Sequence, residues 1–147
     1  VSEKGLAQIC FPNGRPQSVS PKRIPVRARA ISRKAASFLG AYFAGKANRV
    51  NYNIPIDWQR FRKFDQRVLK ALMNVPPAHT ITYVELAKRS GKPHAARAVG
   101  NALNRNPIPI LIPCHRVVRK DGSLGGYQSG IRWKKALLRL ETRREFI

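Results

Sequence analysis

TYVELAKRSGKPHAARAVGNALNRN, Thr82 to Asn106, reads as two short helices with a sharp break between them. Thr82 with Glu85 three places on is a capping box, in which hydroxyl and carboxylate each satisfy a backbone N–H of the first turn. Gly91-Lys92-Pro93 supplies the turn, and Asn106-Pro107 closes the second helix. Two helices joined by a glycine-containing turn are the pattern of a helix-turn-helix, whose second helix enters a DNA groove. A plain helical hairpin with a basic surface has the same pattern. The second helix is unusual for a base reader: long polar side chains read base edges, whereas here Ala95, Ala96, Ala98 and Gly100 surround a single Arg97. Small residues allow close backbone approach and one long cation can enter the base stack, which suits shape-based binding or base extrusion. The alanines equally suit packing against the first helix.

Downstream, NPIPILIPCHRVVRKDGSLGGYQSG (Asn106 to Gly130) holds one of the two cysteines, Cys114, between a proline and His115. Its IPILI run has the composition of a buried strand or extended segment, and Pro113 fixes the backbone just before the thiol. A thiol needs a lowered pKa or a base to act as a nucleophile near neutrality. Side chains of adjacent residues diverge, so His115 would serve Cys114 through a water or after a sharp local bend. The other cysteine, Cys10, reads as inert packing, since free cysteine is among the most buried residue types.

Upstream, FRKFDQRVLKALMNV predicts a helix with Phe61, Phe64, Val68, Leu69, Leu72 and Met73 on one face, ended by Pro76-Pro77. The first third has a different texture. GLAQICFPNGRP reads as a strand and a Pro-Asn-Gly turn, and VSPKRIPVRARA as a Pro-broken basic segment holding an edge strand. ISRKAASFLGAYFAGK predicts a helix with Ser32 as cap and Gly45 as stop, its apolar face running through Ile31, Ala35, Phe38, Leu39, Tyr42 and Phe43. ANRVNYNIPIDW, residues 47–58, reads as a linker. These patterns divide the chain into a small α+β piece, residues 1–57, and a mainly helical piece, residues 58–147.

Charge narrows the partner. The 147-residue chain carries 29 Lys and Arg against 7 Asp and Glu, a net charge of +22, and is 43% hydrophobic, enough for a packed core. Such a charge repels the compact state unless a polyanion offsets it, and nucleic acid is the default polyanion. A membrane-surface protein would carry a separate basic amphipathic helix, which is missing here. With no bilayer-spanning stretch and no secretory h-region, the chain reads as soluble and cytoplasmic, with both cysteines reduced.

RAVGNALNRNPIPILIPCHRVVRKDGSLGGY, Arg97 to Tyr127, closely resembles the active-site signature of the O6-alkylguanine-DNA alkyltransferases, the suicide DNA-repair proteins, whose hallmark is Pro-Cys-His-Arg-Val. The resemblance extends over roughly Phe61 to Glu141, and loosely to GLAQICFP and the helix after it. It implies a small N-terminal α+β domain followed by a helical, winged-helix-like domain that carries the helix-turn-helix and the reactive cysteine. It also implies that Cys114 accepts the alkyl group from guanine O6 by in-line displacement. His115 would act on that thiol through a water, with Glu141 holding the histidine. By the same resemblance Tyr83 donates a hydrogen bond to N3 of the departing guanine, and Arg97, flanked by Ala96, fills the gap left by the flipped nucleotide. Tyr127, followed by Gln128 and Ser129 where many relatives have a smaller residue, belongs to the loop over the flipped base, and Asn106 ties the recognition helix to the active-site turn.

No cofactor is implied. Some relatives hold zinc in the N-terminal domain, but only Cys10 lies in that region and His79 and His94 are far along the chain, so no metal site is expected. The partner would be double-stranded DNA containing O6-alkylguanine, bound by a monomer. Three other readings are weaker. A non-catalytic relative that only binds lesions would lack the acceptor cysteine, a helix-turn-helix regulator would have no use for Pro-Cys-His, and a thiol hydrolase would not need such a charge.

Overall fold

The computed structural model describes residues 1–11, 25–46 and 53–142, and in it five helices pack around a very small sheet. The Pro-Asn-Gly turn after Phe11, residues 19–24 of the basic segment and residues 47–52 of the linker lie outside the described residues.

Helix α1 spans Val26–Phe43 and buries Ala28, Ile31, Ala35 and Tyr42 along one stripe. It begins ahead of the expected Ile31, with Pro25 in the cap position, so Ser32 is an interior residue instead of the cap. The Arg-Ala repeat explains this: both are strong helix formers, and the part of the basic segment read as an edge strand, from Val26 on, is helix. Gly45 stops the helix as expected. Before α1, the expected strand reduces to one parallel bridge, Leu6 to Ile56, with Ile9 N–H donating to the Pro107 carbonyl at 2.8 Å.

After a 3₁₀ turn at Trp58–Arg60, α2 spans Lys63–Met73. Val68, Leu69 and Leu72 are buried, whereas Met73 is exposed and Val75, beyond the helix end, takes the inward place. Buried Asp65 holds Arg105 through two bonds of 2.9 and 2.8 Å, tying α2 to the end of α4. Strand β1, Ile81–Thr82, leads into α3, Tyr83–Arg89, through the capping box: Glu85 N–H donates to Thr82 Oγ1 at 3.2 Å and Thr82 N–H to Glu85 Oε2 at 2.9 Å. Gly91 at φ +76 ends α3, with its N–H on the Lys88 carbonyl and that of Lys92 on Ala87, the double closure that a left-handed residue permits. Helix α4, Ala96–Asn104, buries Val99, Ala102 and Leu103, and α2, α3 and α4 pack on one another.

The IPILI run is not extended. Ile112 N–H returns to the Ile108 carbonyl at 3.0 Å, and Ile110 sits at φ +72, so the segment is a tight turn. Pro107, Pro109 and Pro113 lack the donors a strand ladder needs, and the apolar side chains are satisfied by pointing into two cores. Ile108 and Ile112 join the main core, while Ile110 joins a second cluster with Phe11, Tyr42 and Leu137. Beyond the turn, β2, Val117–Val118, pairs in parallel with β1 in the register Ile81 to Val117. Helix α5, Ile131–Glu141, then buries Lys134, Leu137 and Glu141 at positions that fall on one face. The main core joins Leu6, Ile31 and Ala35 of the first third to Leu69, Leu86 and Val99 of the rest.

Candidate active site

A single 3₁₀ turn, Cys114–Arg116, follows Pro113 and carries three chemically active side chains in different directions. Cys114 lines a cleft of 340 Å³, within the ~300–1,000 Å³ range of small-molecule sites. Asn106, expected as the link between helix and active-site turn, lies beside that turn: its Nδ2 donates to the Ile112 carbonyl at 3.0 Å and toward Cys114 Sγ at 3.2 Å, while Oδ1 accepts from Ile108 N–H at 3.0 Å. Burial pushes the Cys114 thiol up, and the Asn106 contact only partly offsets it. The resting sulfur is therefore protonated and needs a base.

The next side chain in the turn, His115, has a carboxylate partner. His115 and Glu141 are both fully buried, with Nε2 to Oε1 at 2.7 Å. A carboxylate near the chain end, which sequence alone does not separate from a solvated helix charge, is here the centre of a network. Oε1 also accepts from Tyr42 at 2.6 Å and from Arg116 Nη2 at 2.8 Å, and Oε2 accepts from Arg116 Nε at 3.0 Å and Ala78 N–H at 3.4 Å. Burial alone would raise the Glu141 carboxyl, but the hydrogen bonds and charges of His115 and Arg116 outweigh it and hold it at about 2. An ionised carboxylate only accepts, so Nε2 carries the proton and Nδ1 is the basic nitrogen. Nδ1 is buried and has no protein hydrogen-bond partner among the described residues. Burial lowers the His115 pKa despite the opposing carboxylate, so the ring rests neutral.

The other expected residues divide between two places. Tyr83, Tyr127, Gln128 and Ser129 line the cleft with Cys114 and Asn106. Tyr83 opens α3 and is closely flanked: a methyl on Gly125, itself at φ +64, would stand 3.1 Å from the Tyr83 hydroxyl, and one on Gly100 3.7 Å from its ring. The Tyr127 ring packs edge-on to Phe11, with centroids 6.5 Å apart. Burial raises its phenol, and so does Cys114 nearby. Ala96 and Arg97 lie in the first turn of α4, Arg97 exposed, and neither lines the cleft.

Sequence reasoning missed five participants. Cys10 is exposed at the cleft, not packed away, and Phe11 beside it packs at a tilt against Trp133 with centroids 4.6 Å apart, so the N-terminal segment forms one wall. Tyr42 and Arg116 complete the Glu141 network. Lys134, fully buried with its pKa pulled down to about 8 by that burial, donates to the Val117 carbonyl at 2.6 Å and to the Leu124 carbonyl, joining β2 to the cleft loop. Its spacing to Leu137 and Glu141 marks it as inward-facing, and that signal was available. The sequence marks Tyr42 only as a position on the apolar face of its helix. Among the described residues no group of three or more His, Cys, Asp and Glu side chains could hold a metal ion, and no helix is long and apolar enough to cross a membrane.

Comparison with known proteins agrees with this geometry. Residues 63–143 match the family described as 6-O-methylguanine DNA methyltransferase, DNA binding domain. A methylated-DNA–protein-cysteine methyltransferase of Methanosarcina barkeri is 45% identical over 145 residues, covering 95% of this chain and 86% of the relative. Among solved structures, the Mycobacterium tuberculosis OGT in complex with DNA is 46% identical and superposes with a TM-score of 0.69 over 74% of this chain and 66% of that one. The O6-methylguanine-DNA methyltransferase of Pyrococcus kodakaraensis is 29% identical with a TM-score of 0.59, over 80% of this chain and 78% of that one. A match over more than half of the chain, with the Cys114, His115 and Glu141 constellation assembled inside it, places the protein: it belongs to the 6-O-methylguanine DNA methyltransferase family.

Proposed function

We propose that this chain repairs O6-alkylguanine in duplex DNA by moving the alkyl group onto its own Cys114, once and irreversibly. The observation that carries the proposal is a cleft-lining thiol next in sequence to a buried histidine whose one basic nitrogen, Nδ1, is the one Glu141 does not hold. In the step, the Cys114 proton passes through a water to Nδ1 as Sγ attacks the alkyl carbon. The S–C bond forms, the C–O6 bond breaks, and its electron pair goes to the guanine ring. Tyr83, at the cleft wall, donates to N3 and offsets the charge growing there. The products are a thioether and, once the ring regains through solvent the proton that Nδ1 took up, an ordinary guanine. Water near neutrality does not displace a thiolate from an alkyl carbon, so each molecule reacts once, and no cofactor enters the balance.

The target carbon lies inside the duplex, so the nucleotide must leave the stack first. We assign Arg97 to the vacated gap, reached from the exposed first turn of α4, with Ala96 allowing close approach and Tyr127, Gln128 and Ser129 covering the extruded base. In this reading α3 and α4 form the helix-turn-helix of a winged-helix-like unit, residues 58–147, and residues 1–57 form a bracing domain. Phosphate contact from a chain of +22 makes binding to undamaged duplex salt-sensitive and largely independent of sequence. A monomer suffices, since every residue assigned a role is in one chain, and the cytoplasm is the compartment we assign.

Flipping and chemistry can be separated. Arg97→Ala is expected to slow transfer from a duplex roughly tenfold or more, in line with the few kcal/mol of unstacking that extrusion requires. Reaction with free O6-benzylguanine, which needs no extrusion, should stay near the wild-type rate. Equal slowing of both reactions in single-turnover assays removes Arg97 from the flipping role.

A further inference from the structure

Tyr42 belongs to α1, in the third of the chain to which sequence reasoning gave no role, yet its hydroxyl reaches the acid–base pair of the last helix. It donates to Glu141 Oε1 at 2.6 Å, lies 3.3 Å from His115 Nε2, and is 1% exposed. Its ring stands edge-on to the imidazole with centroids 6.4 Å apart. We propose that Tyr42 is a positioning residue for alkyl transfer: by donating to the same carboxylate oxygen that holds His115, it fixes the rotation of Glu141 and tempers the basicity of the imidazole. The inference rests on the relay proposed above.

Three donors converge on Oε1, from Tyr42, His115 and Arg116. Each draws density from that oxygen, so the His115 Nε2–H meets a weaker acceptor than an isolated carboxylate would offer. A weaker acceptor stabilises imidazolium less, which keeps the ring neutral and ready to take a proton through Nδ1. The charges around the ring are mixed, the carboxylate raising the His115 pKa and the cations lowering it. His115 is faced by Glu141 and Lys134 from α5, by Arg116 in its own turn and by Tyr42 from α1, so two cations and one carboxylate surround it. Tyr42 does not carry the proton itself. Burial first, then the Glu141 charge, pushes its phenol above the usual range, so it acts as a fixed donor. With Phe38 and Phe43 packed against the ring, α1 holds that donor in place.

Tyr42→Phe keeps the ring and removes the donor. Single-turnover transfer from a duplex with one O6-methylguanine, followed across pH, is expected to show a plateau roughly tenfold lower, as for other losses of a group that orients an active-site ligand. The acid limb should move to higher pH, because His115 then holds its proton more tightly, while duplex binding stays unchanged. A side-chain NMR titration of His115 should move the same way. A lowered plateau with an unmoved limb and an unmoved His115 titration means that Tyr42 only packs, and overturns the proposal. Difluorotyrosine placed at position 42 guards against a folding defect, since it keeps the volume and donates more strongly. It should move the limb to lower pH, and no movement counts against the proposal. Wild-type protein that takes up no methyl group sinks the functional reading and this inference with it. Wild-type transfer with unmoved limbs in both variants sinks the role of Tyr42 alone.

Discussion

Cys114→Ser protein is expected to bind an O6-methylguanine duplex about as tightly as wild type and to transfer no methyl group to itself within the assay. The two halves of that result come from different parts of the molecule. Binding is assigned to phosphate contact from a chain of +22 and to α4, which the substitution does not touch. A serine hydroxyl fits the space of the thiol, and its oxygen can accept the Asn106 hydrogen bond that Sγ receives at 3.2 Å. Transfer fails because a hydroxyl is a far weaker nucleophile than a thiolate, and a neutral imidazole acting through a water does not make up the difference. Fluorescence anisotropy with a labelled duplex and a methyl-transfer assay on the same preparation test both halves. Complete loss of binding would show that the cysteine shapes the DNA site. Residual transfer would show that another residue accepts methyl, and exposed Cys10 in the same cleft is the first place to look.

Glu141→Gln is expected to damage both repair and stability. The carboxamide keeps the volume but loses the charge that holds Arg116 and His115, and it leaves the Arg116 guanidinium buried without a counter-ion. Breaking a buried pair in this way costs about 3–5 kcal/mol. For a chain of this size that corresponds to a fall in Tm of roughly 6–20 °C. Transfer should drop by about 100-fold or more, because the amide can also present its NH2 to Nε2 and favour the wrong imidazole tautomer. The same network makes the fold acid-labile. Glu141 is held at about 2 in the fold, below its unfolded value of about 4.3, so the stability it contributes is complete above that value and is lost as pH falls toward 2. His115 is lowered by burial, so below its unfolded value of about 6.5 the unfolded chain takes up the proton first and stability falls further. Wild-type Tm should decline from about pH 6.5 downward, with a second loss below about pH 4.3, and Glu141→Gln should lack the second loss. An unchanged Tm and an identical acid profile in the variant would show that Glu141 is not the buried counter-ion.

Much of this was legible because local signals and chemistry coincided. The Thr82 and Glu85 capping box and the Gly91 turn each need only neighbouring residues, and both are present. Cys114, His115 and Glu141 were legible through resemblance, since nothing local says that a carboxylate on the last helix meets a histidine in a distant turn. The misreadings share one cause, which is tertiary packing overriding composition. IPILI has the composition of a strand, but three prolines and two cores waiting on opposite sides make it a turn. The basic VRARA segment looked Pro-broken and extended, yet two strong helix formers follow Pro25 and continue α1. Cys10 was assigned to the interior by residue type alone, and the wall it forms depends on Ile9 bonding to Pro107 across the chain. Tyr42 was visible only as an apolar helix residue. Its polar end mattered, and its partner lies 99 residues away.

The most direct test of the whole account is intact-protein mass spectrometry of the wild-type chain after incubation with a duplex carrying one O6-methylguanine, followed by peptide mapping. One added methyl group per protein is expected, saturating at that ratio and located on Cys114, with unmodified guanine left in the DNA. Tight binding of the lesion with no change in protein mass would contradict it, leaving a recognition protein in which Cys114, His115 and Glu141 transfer nothing.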